Sequence, residues 1–98
     1  MTTFKDIEQN EKNYLHRFGD FGNKRVLEIG CGEGRLTWKY AAGSKLAVGF
    51  DTDQNAVRIA QAERPTNLAK KVFFTNAEAE RLPFANESFD IALLAWSF

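Results

Sequence analysis

Val26-Leu27-Glu28-Ile29-Gly30-Cys31-Gly32-Glu33-Gly34 decides the fold of this 98-residue chain. A short apolar run ends in alternating glycines. It gives way to Arg35–Ala42, with Leu36, Tyr40 and Ala41 on one side and Gly43 after them. The spacing predicts a buried strand, a tight turn and a short helix. Outward from there, Leu46-Ala47-Val48-Gly49-Phe50 reads as a second buried strand. Asp53 to about Glu63, carrying Ala56, Val57, Ile59 and Ala60, reads as a helix halted near Arg64 by Pro65. Val72-Phe73-Phe74 is a third strand and Phe89 to Ala95 a fourth. Strands that are apolar along their length and separated by crossovers imply a parallel sheet covered on both faces, an α/β fold. Toward the N-terminus, Phe4, Ile7, Tyr14, Leu15 and Phe18 keep near-helical spacing, with Thr3 and Asp6 as cap and Gly19 as stop. Residues 1–98 are thus read as a single domain, with a helical segment over 1–20 ahead of an α/β core over 24–98.

The fourth strand, 89–95, is apolar on both faces, yet only Trp96-Ser97-Phe98 follow it. The chain therefore reads as truncated. The outer edge of this strand is expected to lie open and to drive self-association.

Composition excludes several classes. Apolar residues make up 44% of the chain and aromatic residues 13%, enough for a packed core. Thirteen basic residues balance thirteen acidic ones, with no basic stripe to hold a phosphate backbone, so nucleic acid is not an expected partner. No apolar run reaches the roughly 20 residues of a membrane span, and the first residues lack signal-peptide features. One cysteine and one histidine leave no disulfide framework and no zinc set, so no metal is expected. The reading is a cytoplasmic domain.

Three features carry the chemistry. Glycines in a strand-to-helix turn adopt backbone angles closed to other residues and let a ligand approach the main chain. Glu28 stands where a buried parallel strand asks for an apolar side chain, and a buried carboxylate is costly unless partnered. Its structural explanation is an ion pair with a nearby Arg or Lys; its functional one is a cationic ligand group at the carboxyl end of the strand. Asp51 closes the second strand 21 residues after Gly30, a placement that suits two hydrogen bonds to ribose hydroxyls. Helix capping is the alternative role, which Thr52 or Asp53 could fill equally well. The spacing Gly-x-Gly-x-Gly differs from the Gly-x-Gly-x-x-Gly of dinucleotide folds. An acid two residues before the first glycine would repel a pyrophosphate but suit an amino group or a sulfonium.

Val26–Gly34 resembles the first motif of class I S-adenosylmethionine-dependent methyltransferases. The resemblance continues through Gly49-Phe50-Asp51, Asn76-Ala77-Glu78-Ala79-Glu80-Arg81-Leu82-Pro83-Phe84 and Ser88-Phe89-Asp90-Ile91. The last two are similar to the small-molecule branch that includes the ubiquinone and menaquinone biosynthesis enzymes. It implies a Rossmann-like three-layer α/β/α fold with strand order 3-2-1-4 and the C-terminal strands missing. The implied cofactor is S-adenosylmethionine and the implied partner a small-molecule methyl acceptor. Carried onto this chain, Gly30, Cys31, Gly32 and Gly34 border the methionine moiety and Glu28 answers its amino group. Asp51 holds the ribose, Thr52 lies beside the adenine, Asn76 and Ala77 border the adenine edge, and Leu94 and Ala95 border the methionine end. Where the family usually has Asp, this chain has Asn76, an uncharged acceptor for the adenine amino group. The resemblance names no general base, so the catalytic residues are unassigned. The other readings are a fragment that binds S-adenosylmethionine without turnover and a nicotinamide-dependent oxidoreductase domain. His16 reads as a surface residue, Trp38 as core or pocket wall, and Trp96 as a candidate wall of the acceptor site.

Overall fold

The computed structural model describes residues 2–4, 21–78 and 88–95. Its elements in chain order are β1 (Thr2–Phe4), β2 (Arg25–Ile29), α1 (Thr37–Tyr40), β3 (Leu46–Asp51), α2 (Gln54–Glu63), β4 (Val72–Asn76) and β5 (Ile91–Leu94). Every pairing in the sheet is parallel, and the strands run β1-β5-β2-β3-β4. The four expected strands therefore stand in the 3-2-1-4 order, as β4-β3-β2-β5.

Alternation along the strands feeds two cores. Val26, Ala47, Phe74 and Leu93 enter one buried cluster, while Leu27, Val48, Phe50 and Phe89 form another. Adjacent residues of one strand thus face opposite layers, as a sheet covered on both sides requires. Trp38 packs on the larger cluster, edge-on to Phe74 with ring centroids 5.5 Å apart. The start of β2 is lashed to the entry of β5. Asp90 accepts from the Arg25 backbone N–H at 2.9 Å and from its Nε and Nη2 at 3.2 and 3.1 Å. The guanidinium holds the Asp90 carboxyl down to about 2.

α2 begins where Asp53 Oδ1 accepts from the Ala56 N–H at 3.1 Å. It ends at Arg64, extended before Pro65. The cap role thus falls to Asp53 and leaves Asp51 for other work. α1 is shorter than the sequence predicts. After one turn the chain tightens into a 3₁₀ turn over Ala41–Gly43.

The N-terminus departs from expectation. Thr2–Phe4 is strand rather than the cap and first turn of a helix, and the remainder of the expected helical segment, residues 5–20, lies outside the described residues. Thr2, Thr3 and Phe4 pair in parallel with Ile91, Ala92 and Leu93. The outer edge of β5 is therefore covered by β1 at Ile91–Leu93 and does not lie open there as expected. Unpaired edge amides and carbonyls accept any extended segment within reach, and Thr-Thr-Phe has the β-branched and aromatic composition that suits a strand.

Gly49 brings the turn after β2 close to β3. A Cβ there would lie 2.8 Å from Cys31 Cβ and 3.0 Å from Phe74 Cδ1. Gly49→Ala is expected to push the glycine turn off the sheet at about 1–3 kcal/mol. Urea denaturation measures it, and an unchanged midpoint would mean that Cys31 and Phe74 yield without strain.

Candidate functional site

The carboxyl ends of β2 and β3 open into a cavity of about 440 Å³. Its walls come from the turn (Gly30, Cys31, Gly32, Glu33), the approach to α1 (Arg35, Leu36), the end of β3 and the start of α2 (Asp51, Asp53, Ala56), and Ala95, with Glu28 beneath. This is where an open parallel sheet places its ligands.

The turn is fixed from below. The Gly30 and Cys31 N–H groups both donate to the Phe50 carbonyl, at 2.9 and 3.0 Å. Gly30, Gly32 and Gly34 all have positive φ, at 78°, 55° and 88°. At Gly32 a Cβ would meet nothing within 4 Å, so its main chain faces open space and a ligand can come against it.

Asp51 ties turn to strand. Its Oδ2 accepts from the Gly32 N–H at 2.9 Å and its Oδ1 from the Asp53 N–H at 2.9 Å. The carboxylate is therefore aimed beside the turn, with lone pairs left over.

Glu28 is wholly buried. Oε1 accepts from the hydroxyls of Thr37, at 2.7 Å, and Tyr40, at 2.6 Å. Oε2 is buried with no hydrogen-bond partner among the described residues. No Lys or Arg pairs with it among the described residues. Burial pushes the Glu28 carboxyl up to about 7 against the two hydrogen bonds, which pull it down. Burial also raises the Cys31 thiol well above its ordinary range, helped by the charges of Glu28 and Asp51. Cys31 is a small wall residue and not a nucleophile.

The cavity brings together Glu28, Gly30, Cys31, Gly32, Asp51 and Ala95. Gly34, Thr52, Asn76, Ala77 and Leu94 do not line it. Thr52 is exposed beside Asp51. Leu94 pairs with Ile29, and the Ala95 N–H donates to the Ile29 carbonyl at 2.9 Å, which brings Ala95 to the cavity. Asn76 lies level with Asp51, and its Nδ2 donates to the Asp51 carbonyl at 2.9 Å. The Ala77 N–H shares that acceptor at 3.1 Å. Asn76 thus serves as a donor to β3. Trp96 and His16 lie outside the described residues.

The sequence reading missed Glu33, Arg35, Leu36, Asp53 and Ala56 as walls. Asp53 and Ala56 could have been found, since a capped helix after an acidic strand end turns its first residues to the same crevice. Thr37 and Tyr40 were legible only as helix positions. Their spacing of three places both hydroxyls on one face, toward Glu28. Among the described residues that line it, Glu28, Glu33, Asp51 and Asp53 outnumber the cation Arg35, so the cavity suits a positively charged ligand group.

Comparison with known proteins agrees with this geometry. The family profile described as a methyltransferase domain matches residues 26–98. The chain is 27% identical over 97 residues to the demethylmenaquinone methyltransferase of Lactococcus lactis, covering 96% of this chain and 38% of that protein. It is 40% identical over 75 residues to the ribosomal protein L11 methyltransferase of Chromobacterium violaceum, covering 74% of this chain and 23% of that one. Its backbone superimposes on the crystal structure of YcgJ from Bacillus subtilis with a TM-score of 0.76 and 25% identity, over 89% of this chain and 37% of YcgJ. The chain spans well under half the length of these proteins. With strand order, glycine turn and family profile in agreement, the chain belongs to the methyltransferase-domain family.

Proposed function

We propose that this domain binds S-adenosylmethionine and is the cofactor-binding part of a cytoplasmic enzyme that transfers its methyl group to a small molecule. The observation that carries the reading is Glu28, a buried carboxylate with one oxygen unpartnered beneath a cavity rimmed by a positive-φ glycine turn. A ligand without a donor at that point would leave the oxygen unanswered, whereas an ammonium group, directly or through a water, would satisfy it and match its charge.

The residues present fit the cofactor. Gly30, Cys31, Gly32 and Ala95 wall the space for a methionine chain. Asp51 offers its remaining lone pairs to two ribose hydroxyls. Thr52 and Ala77, at the ends of β3 and β4, lie toward an adenine edge, with Asn76 tying the two strands together there. Gly34 and Leu94 act through the backbone that shapes the turn and the end of β5. Bound there, the cofactor supplies an activated methyl group, and the protein's part is orientation and the exclusion of water. The small-molecule acceptor is supported by the likeness of residues 76–84 and 88–91 to quinone-pathway enzymes and by the L. lactis relative. The C. violaceum relative, named for a ribosomal protein, makes a protein acceptor the second reading.

Titration calorimetry with S-adenosylhomocysteine and with NAD tests the proposal. The expected result is heat of binding from the first and none from the second. Tighter NAD binding would return the domain to the oxidoreductases.

A further inference from the structure

We propose that Thr37 and Tyr40 are positioning residues for the amino-acid end of the ligand, holding Glu28 so that Oε2 alone remains to receive a cationic group. The inference rests on the cofactor reading above and assigns two residues that the glycine motif does not contain.

A carboxylate has two oxygens and can turn about its last bond. Here both hydroxyls converge on one of them, Thr37 Oγ1 at 2.7 Å and Tyr40 Oη at 2.6 Å from Oε1. Thr37 is itself fully buried and Tyr40 nearly so, with its ring edge-on to Phe21 at 5.3 Å between centroids. Donors so packed cannot follow a rotating carboxylate, so the orientation of Glu28 is set before any ligand arrives. Had either hydroxyl reached Oε2, the carboxylate would have been satisfied within the protein. A cation would then have had to displace a hydrogen bond to gain its own.

The same two bonds favour the charged form of Glu28, and burial opposes it. Its neighbours across the ladder, Gly49 and Leu93, carry no charge. Cys31 in the turn stays protonated, and Glu33, Arg35, Asp51 and Asp53 stand around the cavity above. Ionisation of Glu28 therefore depends on the two hydroxyls, and recognition of an ammonium group depends on that ionisation.

The test pairs S-adenosylhomocysteine, which carries the amino-acid end, with 5′-methylthioadenosine, which lacks it. Both are titrated against the full chain, Tyr40→Phe and Thr37→Val between pH 6 and 9, with Thr37→Ser as the variant that keeps its hydroxyl. Each hydroxyl removed is expected to weaken S-adenosylhomocysteine about tenfold at pH 7. The pH at which its binding reaches half strength should move upward, while methylthioadenosine binds as before and Thr37→Ser resembles the parent. Should Tyr40→Phe not fold, Thr37→Val carries the same comparison. Equal weakening of both ligands would reduce the two residues to packing, and no change in either would leave Glu28 oriented by other means. Either result overturns this proposal alone. Methylthioadenosine binding to the parent without S-adenosylhomocysteine would refute the amino-group role, and binding of neither would refute the cofactor reading with it.

Discussion

Asp51→Ala is expected to weaken S-adenosylhomocysteine binding about a hundredfold. In the proposed role, two charge-assisted hydrogen bonds to ribose hydroxyls would contribute at least about 1.5 kcal/mol each, and about 1.4 kcal/mol is a decade in affinity. The structure adds a second route to the same loss. Asp51 Oδ2 accepts from the Gly32 N–H, so its removal also frees the middle of the glycine turn, where the main chain faces the ligand. Asp51→Asn separates the two contributions, because the amide keeps an acceptor for Gly32 and gives up the charge. Calorimetry on the three proteins should rank the parent above Asn and Asn above Ala. Parent-like affinity in Asp51→Ala, with the fold intact by circular dichroism, would move the ribose elsewhere.

Glu28→Gln should change how stability depends on pH. Burial pushes the folded-state carboxyl up to about 7, from an ordinary 4.5. Between those values the folded chain holds a proton that the unfolded chain has released, so stability falls as pH rises through the window and levels off above it. The fall is about 3 kcal/mol, from about 1.4 kcal/mol per pKa unit. Gln has no proton to lose. The stability of the variant relative to the parent should therefore rise by that amount from pH 4.5 to pH 8, whatever constant offset the amide introduces. Asp90 leaves the comparison untouched, because its depressed carboxyl gives up stability only as pH falls below about 4, and equally in both proteins. Parallel urea-denaturation profiles across the window would show that Glu28 is already ionised in the folded chain. A parent that gains stability across it would reverse the sign of the argument.

Much of the sheet was legible because parallel strands buried on both faces leave continuous apolar runs, as at Val26–Ile29 and Leu46–Phe50. β4 runs two residues past its apolar core, to Asn76, because Asn76 is held by the Asp51 carbonyl and not by burial. β1 was illegible. Three residues set no period of their own, and their partner lies nearly the whole chain away at Ile91–Leu93, beyond any local pattern. In the site, residues with an unusual side chain for their element stood out, Glu28 in a buried strand above all. Glu33, Arg35 and Asp53 did not, since a charged residue in a turn or at a helix start is ordinary whether or not a cavity lies beside it. The hydroxyls of Thr37 and Tyr40 were hidden for a different reason. Both residues are ordinary members of an apolar helix face, and only the structure shows that their polar ends turn toward a carboxylate nine and twelve residues back.

The seat of Cys31 also makes it a reporter. It is the sole cysteine of the chain, buried within the turn, with two carboxylates discouraging its thiolate. Alkylating reagents consume only the thiolate, so iodoacetamide meets almost nothing to react with while the turn sits on β3. Each excursion that lifts the turn exposes the sulfur to solvent and relieves that suppression. The labelling rate then counts openings of the glycine turn, and a ligand that binds against it should slow the count in proportion to its occupancy. The chain carries its own clock for the opening of that turn.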